Sequence, residues 1–223
     1  MPPKSKVNSS RVAVTMAGSY RKAAGSRMSA EKMISFKHDW DQHYPGLYPV
    51  GFMLRSAGAR HWLRFHSLAG SKRYADTDDE RRALLSRQEQ LAGEILGDGN
   101  PCWLVQTCWK PPEGVLDITP ADNPFRARGD YAMSFSFRFC ENDAPEGTWD
   151  VYAAATQWEE GKFSELLLAI ADEKAAPTLW FSPSGEVFAP YDGGIDLFLP
   201  TLSTVESLRK AHRDWLSKHP QGL

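Results

Sequence analysis

Large apolar residues alternate with small or polar ones through 131–139. Tyr131, Met133, Phe135, Phe137 and Phe139 fall on one side, and Ala132, Ser134, Ser136 and Arg138 on the other. A period of two is β-strand geometry, and it predicts one solidly aromatic face packed on a core. The stretch 62–66 alternates too, with Leu63 and Phe65 on one face and Arg64 and His66 on the other. Residues 102–109 and 149–158 read as long strands, the second an antiparallel neighbour of 131–139. Toward the C-terminus, 179–181, 186–189 and 195–199 predict a meander of short strands. Its turns are Pro183-Ser184-Gly185 and Asp192-Gly193-Gly194, where Asp can bond its own backbone and glycines supply positive φ.

Helical spacing governs the segments between. Met33, Phe36, Trp40 and Tyr44 predict an amphipathic helix over 30–44, stopped by Pro45-Gly46. A short apolar stretch follows at 50–54. Over 77–96, Thr77 and Glu80 form a capping-box pair, and Asp78, Asp79 and Glu80 suit the positive end of the helix dipole. Leu84, Leu91 and Ile95 give the inward stripe, and Gly97 ends the helix. Leu166, Leu167 and Ile170 mark a helix over 163–173. A last helix opens on the pair Ser203 and Glu206 and turns Val205, Leu208, Trp215 and Leu216 inward. A Pro-rich loop spans 111–128. Long strands following one another without intervening helices exclude a doubly wound parallel fold. The pattern predicts one α+β domain over 30–223, a largely antiparallel sheet of about six strands with about four helices.

Charge divides the chain. Its formal net charge is −2, yet the first thirty residues carry six basic side chains and no acid, which leaves 20 basic against 28 acidic ones, −8, in the remainder. Residues 1–29 read as a basic, flexible tail. Two other readings are open: an acid-free, transit-like segment, or a natural start at Met28 or Met33. An acidic body makes nucleic-acid binding improbable except through the tail, because counterion release needs clustered positive charge. The same body, with aromatic residues at 12% of the chain, points to a basic protein partner.

Cys102, Cys108 and Cys140 are odd in number and lack paired spacing, so neither a disulfide framework nor a structural zinc site is expected. A reducing, cytoplasmic location follows. No apolar run approaches the roughly 20 residues of a membrane span. Nucleotide-loop, nucleophile-elbow and metalloprotease motifs are missing, so no cofactor and no metal is expected.

Three groups could carry chemistry. Arg64 and His66 share a strand face just before a loop bearing Ser71, Lys72 and Arg73, near the helix start at Thr77. Together they could hold a phosphate or carboxylate, with His66 as the acid–base candidate. Asp76, Asp78 and Asp79 crowd the same place, and would instead pair with Lys72 and Arg73 in a solvated loop. Asp192 and Asp196 flank a Gly pair, which fits a tight turn better than a metal site. Trp109 and Trp158 sit at strand ends where a partner could touch them, as it could Tyr74, with core filling as the plainer alternative.

Three stretches, taken together, resemble a family of small bacterial cytosolic proteins with no assigned activity. They are 40–51 (Trp-Asp-Gln-His-Tyr-Pro-Gly-Leu-Tyr-Pro-Val-Gly), 62–74 (Trp-Leu-Arg-Phe-His-Ser-Leu, then Ser-Lys-Arg-Tyr) and 191–223. The resemblance covers about 34–223 and leaves the tail outside. It implies a bacterial, cytosolic, single-domain protein and transfers no site. Two functions stay open: a non-enzymatic module, immunity- or regulator-like, binding a basic protein, and an enzyme or sensor for a small phosphorylated ligand at Arg64, His66, Lys72 and Arg73.

Overall fold

The structure, a computed structural model, describes residues 28–59, 61–113, 132–139 and 147–216. The basic segment 1–27, Tyr131, Cys140 and most of the Pro-rich loop lie outside the described residues.

The elements run α1 (Met28–His43), α2 (Gly51–Ser56), β1 (Trp62–His66), α3 (Asp78–Leu96), β2 (Pro101–Lys110), β3 (Ala132–Phe139), β4 (Gly147–Gln157), α4 (Ser164–Ala171), β5 (Thr178–Phe181), β6 (Val187–Tyr191), β7 (Gly194–Phe198) and α5 (Leu202–Ala211). The seven strands form one sheet in the order β1-β7-β6-β5-β2-β4-β3, antiparallel throughout. The expected α+β class holds: the described residues form seven strands, against about six expected, each on a stretch read as a strand, and five helices against about four. The extra helix is α2, where the apolar stretch after Tyr48 was too short to show a period.

Helices cover both faces of the sheet. On one, Leu63, Phe65, Trp180, Phe188, Ile195 and Leu197 meet Leu91 of α3, Leu166 of α4 and Val205 of α5. On the other, Trp103, Val105, Phe181, Val187 and Phe198 pack beneath Phe36 and Trp40 of α1 and Met53 and Leu54 of α2. Alternation along each strand sends neighbouring residues to opposite cores. Much of the aromatic excess therefore packs in these two cores. Trp40, Trp158 and Trp180 are fully buried, as are Phe36, Phe65, Phe181, Phe188 and Phe198.

Local signals hold with two corrections. Thr77 caps α3, its hydroxyl accepting from the Glu80 N–H. The α5 cap is Thr201, which accepts from the Thr204 N–H, rather than Ser203; Ser203 lies inside the helix. Along β3 the register shifts between Met133 and Phe135. That bulge breaks the alternation, so Phe135, Phe137 and Phe139 pack inward while Met133 is exposed.

Candidate functional site

Pairing of β1 with β7 sets Arg64 opposite Asp196. Leu63 and Phe65 go to the core beneath α3, so Arg64 emerges on the α2 side, as does Asp196 between Ile195 and Leu197. Arg64 Nε donates to Asp196 Oδ1 at 2.7 Å and Nη2 donates to Oδ2 at 2.8 Å. The Trp62 indole N–H adds a third bond to Oδ1 at 2.9 Å. The side chains are 11% and 4% exposed, so the pair is buried. The guanidinium carbon lies 4.7 Å from the Tyr191 ring centroid and 5.4 Å from that of Trp62. A planar guanidinium suits both the fork of a carboxylate and the face of a ring. Burial alone would lower the pKa of Arg64, but the hydrogen bonds and charge of Asp196 outweigh it and raise it. Burial pushes the Tyr191 phenol up to about 12.

Beside this pair lies a cavity of about 480 Å³. Val50, Phe52 and Arg55 wall it from α2 and its N-cap, Ala175 to Thr178 from the segment after α4, and Ala189 to Tyr191 from β6. Its surface is mostly apolar, with Arg55, Arg64, Thr178, Tyr191 and Asp196 as polar points and Glu173 and Asp192 at the mouth. Arg73 crosses to that mouth, pairing with Asp192 and placing Nη2 3.1 Å from Glu173 Oε1. The Tyr74 hydroxyl donates to Glu173 Oε2 at 3.1 Å. The loop between β1 and α3 is thereby strapped to the rim.

Glycine at the β6–β7 turn has a different reason from the one expected. Neither Gly193 nor Gly194 adopts a left-handed φ. A Cβ on Gly194 would instead run into the Phe65 carbonyl oxygen and crowd the Tyr191 hydroxyl. The turn is glycine-rich because β1 and Tyr191 approach it closely.

The residues expected to converge on one anion are dispersed. Lys72 Nζ lies 2.6 Å from both Glu80 carboxylate oxygens and 2.9 Å from Asp76, which raises its pKa, Glu80 contributing most. The acids crowding the start of α3 have taken the lysine. Arg73 goes to Asp192 and Glu173, and Arg64 to Asp196. Ser71 is exposed at the end of a 3-10 turn. His66 lies one pleat beyond Arg64, outside the cavity wall. Its Nε2 is buried without a hydrogen-bond partner among the described residues. Burial, then the charge of Arg64, lowers its pKa. Asp192 and Asp196 hold separate arginines and share nothing. Of the expected partner contacts, Trp158 is fully buried against Phe163, Trp180 and Phe188 and cannot serve. Trp109 is half-buried over Gly147. Tyr74 alone is well exposed, at 44%. Among the described residues no group of three His, Cys, Asp or Glu side chains could hold a metal, and no helix is long and apolar enough to cross a membrane.

Sequence reasoning missed Arg55 and the ring of Tyr191. The available signal was weak: Arg55 follows the apolar stretch of α2, and Tyr191 ends a strand.

Residues 50–220 match the family described as a domain of unknown function (DUF3885). The chain belongs to that family. The DUF3885 match opens at the N-cap of α2, leaves α1 outside, and contains all seven strands and every wall of the cavity. No curated protein and no solved structure matches the chain.

Proposed function

We propose that this DUF3885 domain binds a small molecule in the cavity between α2, the 175–178 segment and β6. One observation carries this reading. A mostly apolar hollow of about 480 Å³ abuts a buried, bidentate Arg64–Asp196 pair. Small-molecule sites are typically concave, apolar and supplied with a few fixed polar groups. Binding suits this site better than proton transfer. Arg64 is locked by Asp196, and burial moves the Tyr191 phenol still further from ionisation near neutral pH. The buried free thiol of Cys102 fits a reducing compartment such as the cytoplasm.

The test is a thermal-shift screen of metabolite-like compounds on the full chain, repeated on Ala175→Trp. Ala175 is a half-buried wall residue, and an indole there fills the hollow. A true ligand at 100 times its Kd adds about 2.7 kcal/mol to stability. The stabilisation should vanish in Ala175→Trp at an unchanged unliganded melting temperature. Equal stabilisation of both proteins overturns the reading.

A second reading rests on Tyr74, exposed beside the exposed acids Asp76, Asp78 and Asp79. That patch suits a basic protein partner, as the overall acidity of the body does. Its test is whether Asp78→Lys with Tyr74→Ala abolishes capture of a specific basic partner from the native host. Undiminished capture rejects it.

A further inference from the structure

Charge pairing around the cavity is uneven. Asp196 has both oxygens on Arg64, Asp192 is held by Arg73, and Glu173 is held by Arg73 and Tyr74. Arg55 also lines the wall, and among the described residues it makes no ion pair and no side-chain hydrogen bond. Counting Arg73, three cations face three carboxylates, so placement rather than net charge sets the preference. The carboxylate in excess is Glu173, whose side chain is 57% exposed at the mouth, where solvent screens it. Arg55 projects from the α2 wall, half-buried beside Phe52. A guanidinium so placed lacks the acceptor its fork is shaped for.

We infer that the ligand is an organic monocarboxylate, its head on Arg55 and its apolar body against Phe52, Ala175, Pro177 and Ala189. This rests on the small-molecule reading of the cavity and narrows it to one chemical class. A single unpaired guanidinium matches one negative charge. A phosphate monoester carries about −1.5 to −2 near neutral pH and would bring charge that this wall does not offset. Arg64 and Asp196 already neutralise each other through two hydrogen bonds, so the pair serves as rigid floor. Tyr191, spread beneath Arg64 and within electrostatic reach of Arg55, offers a neutral hydroxyl as a further donor.

The experiment uses the full chain and a panel of aryl and short alkyl carboxylates. Each is paired with its primary amide, and the aryl members also with the corresponding phosphate. Binding is read by ligand-observed NMR and calorimetry. Carboxylates should bind about tenfold or more tighter than their amides, as a charge-assisted hydrogen bond allows. Arg55→Gln should bring the two to parity by weakening the carboxylate alone, and Arg55→Lys should keep most of the preference. Arg55 is half-buried and unpaired, so both variants should fold with unchanged melting temperatures. Parity in the wild type, a preference that survives Arg55→Gln, or tightest binding by the phosphates overturns the monocarboxylate assignment and leaves the cavity reading standing. If no compound in any class binds, the monocarboxylate assignment falls, and the cavity reading is decided by the metabolite screen.

Discussion

The two faces of the sheet solve the same burial problem differently. Beneath α3, α4 and α5, β1 and β7 contribute Leu63, Phe65, Ile195 and Leu197, and the interior is closed and apolar. On the opposite face the same strands contribute Trp62, Arg64 and Asp196 as well as the buried Phe198, and the pair sits beside the six-residue α2 and a hollow. The apolar face is held by area removed from water. The other face has its own apolar core under α1 and α2, but at β1 and β7 it adds a charge pair whose geometry must be complete, because either ion alone is costly to bury. A fold seeking stability alone could have used aliphatic residues at both positions. Ions retained next to an open cavity are the observation on which the proposed binding site rests.

The contrast can be broken at adjacent residues. Asp196→Ala strands a buried guanidinium and should cost about 3–5 kcal/mol in urea denaturation. Its neighbour facing the other core, Leu197→Ala, should cost about 2–5 kcal/mol through lost contacts and a cavity. The remedies differ. Replacing both ions, Arg64→Met with Asp196→Leu, should recover most of the first loss, since apolar residues of similar size substitute well for a buried pair. Failure of that rescue would mean the pair does more than fill and satisfy this face.

A smaller effect is expected at the turn that brings the pair together. Gly194→Ala places a Cβ against the Phe65 carbonyl oxygen. It should cost about 1–3 kcal/mol as the β1–β7 pairing gives way. A neutral Gly194→Ala would show that the close approach is not required.

The smallest effect is in pH. Burial and Arg64 hold the pKa of His66 below its ordinary value of 6.5. The unfolded chain therefore binds the proton more readily than the native one. This contribution is complete above pH 6.5 and is lost as pH falls through 6.5 and below. The urea midpoint of wild type should drop more between pH 7.5 and 5.5 than that of His66→Asn. Equal drops would remove His66 from the acid sensitivity of this face.

How far the sequence foretold these faces depends on the range of the interactions. Strand periodicity put Arg64 with His66 and opposite Leu63 and Phe65, and that local rule survived folding. The Thr77 cap of α3 is equally local. The β3 bulge was hidden because alternation describes residues, not the partner strand that skips one. The site itself needed long-range facts. Arg64 meets Asp196 across 132 positions, and Arg73 meets Asp192 across 119. Nothing within a local window tells Arg73, which bridges distant acids, from Lys72, which bonds its own helix start, or from Arg55, which pairs with neither. The aromatic excess misled for the same reason. Trp158 ends a strand, as a surface residue could, yet the fold closes over it.

Indole resonances can separate the two faces in one titration. The Trp62 N–H is bonded to Asp196 at the cavity floor, whereas Trp158 and Trp180 lie in the opposite core. With the eight tryptophans labelled with 15N, adding a bound carboxylate should move the Trp62 indole signal and leave those of Trp158 and Trp180 in place. Movement of Trp158 or Trp180 with Trp62 unmoved would place the ligand elsewhere and contradict the site.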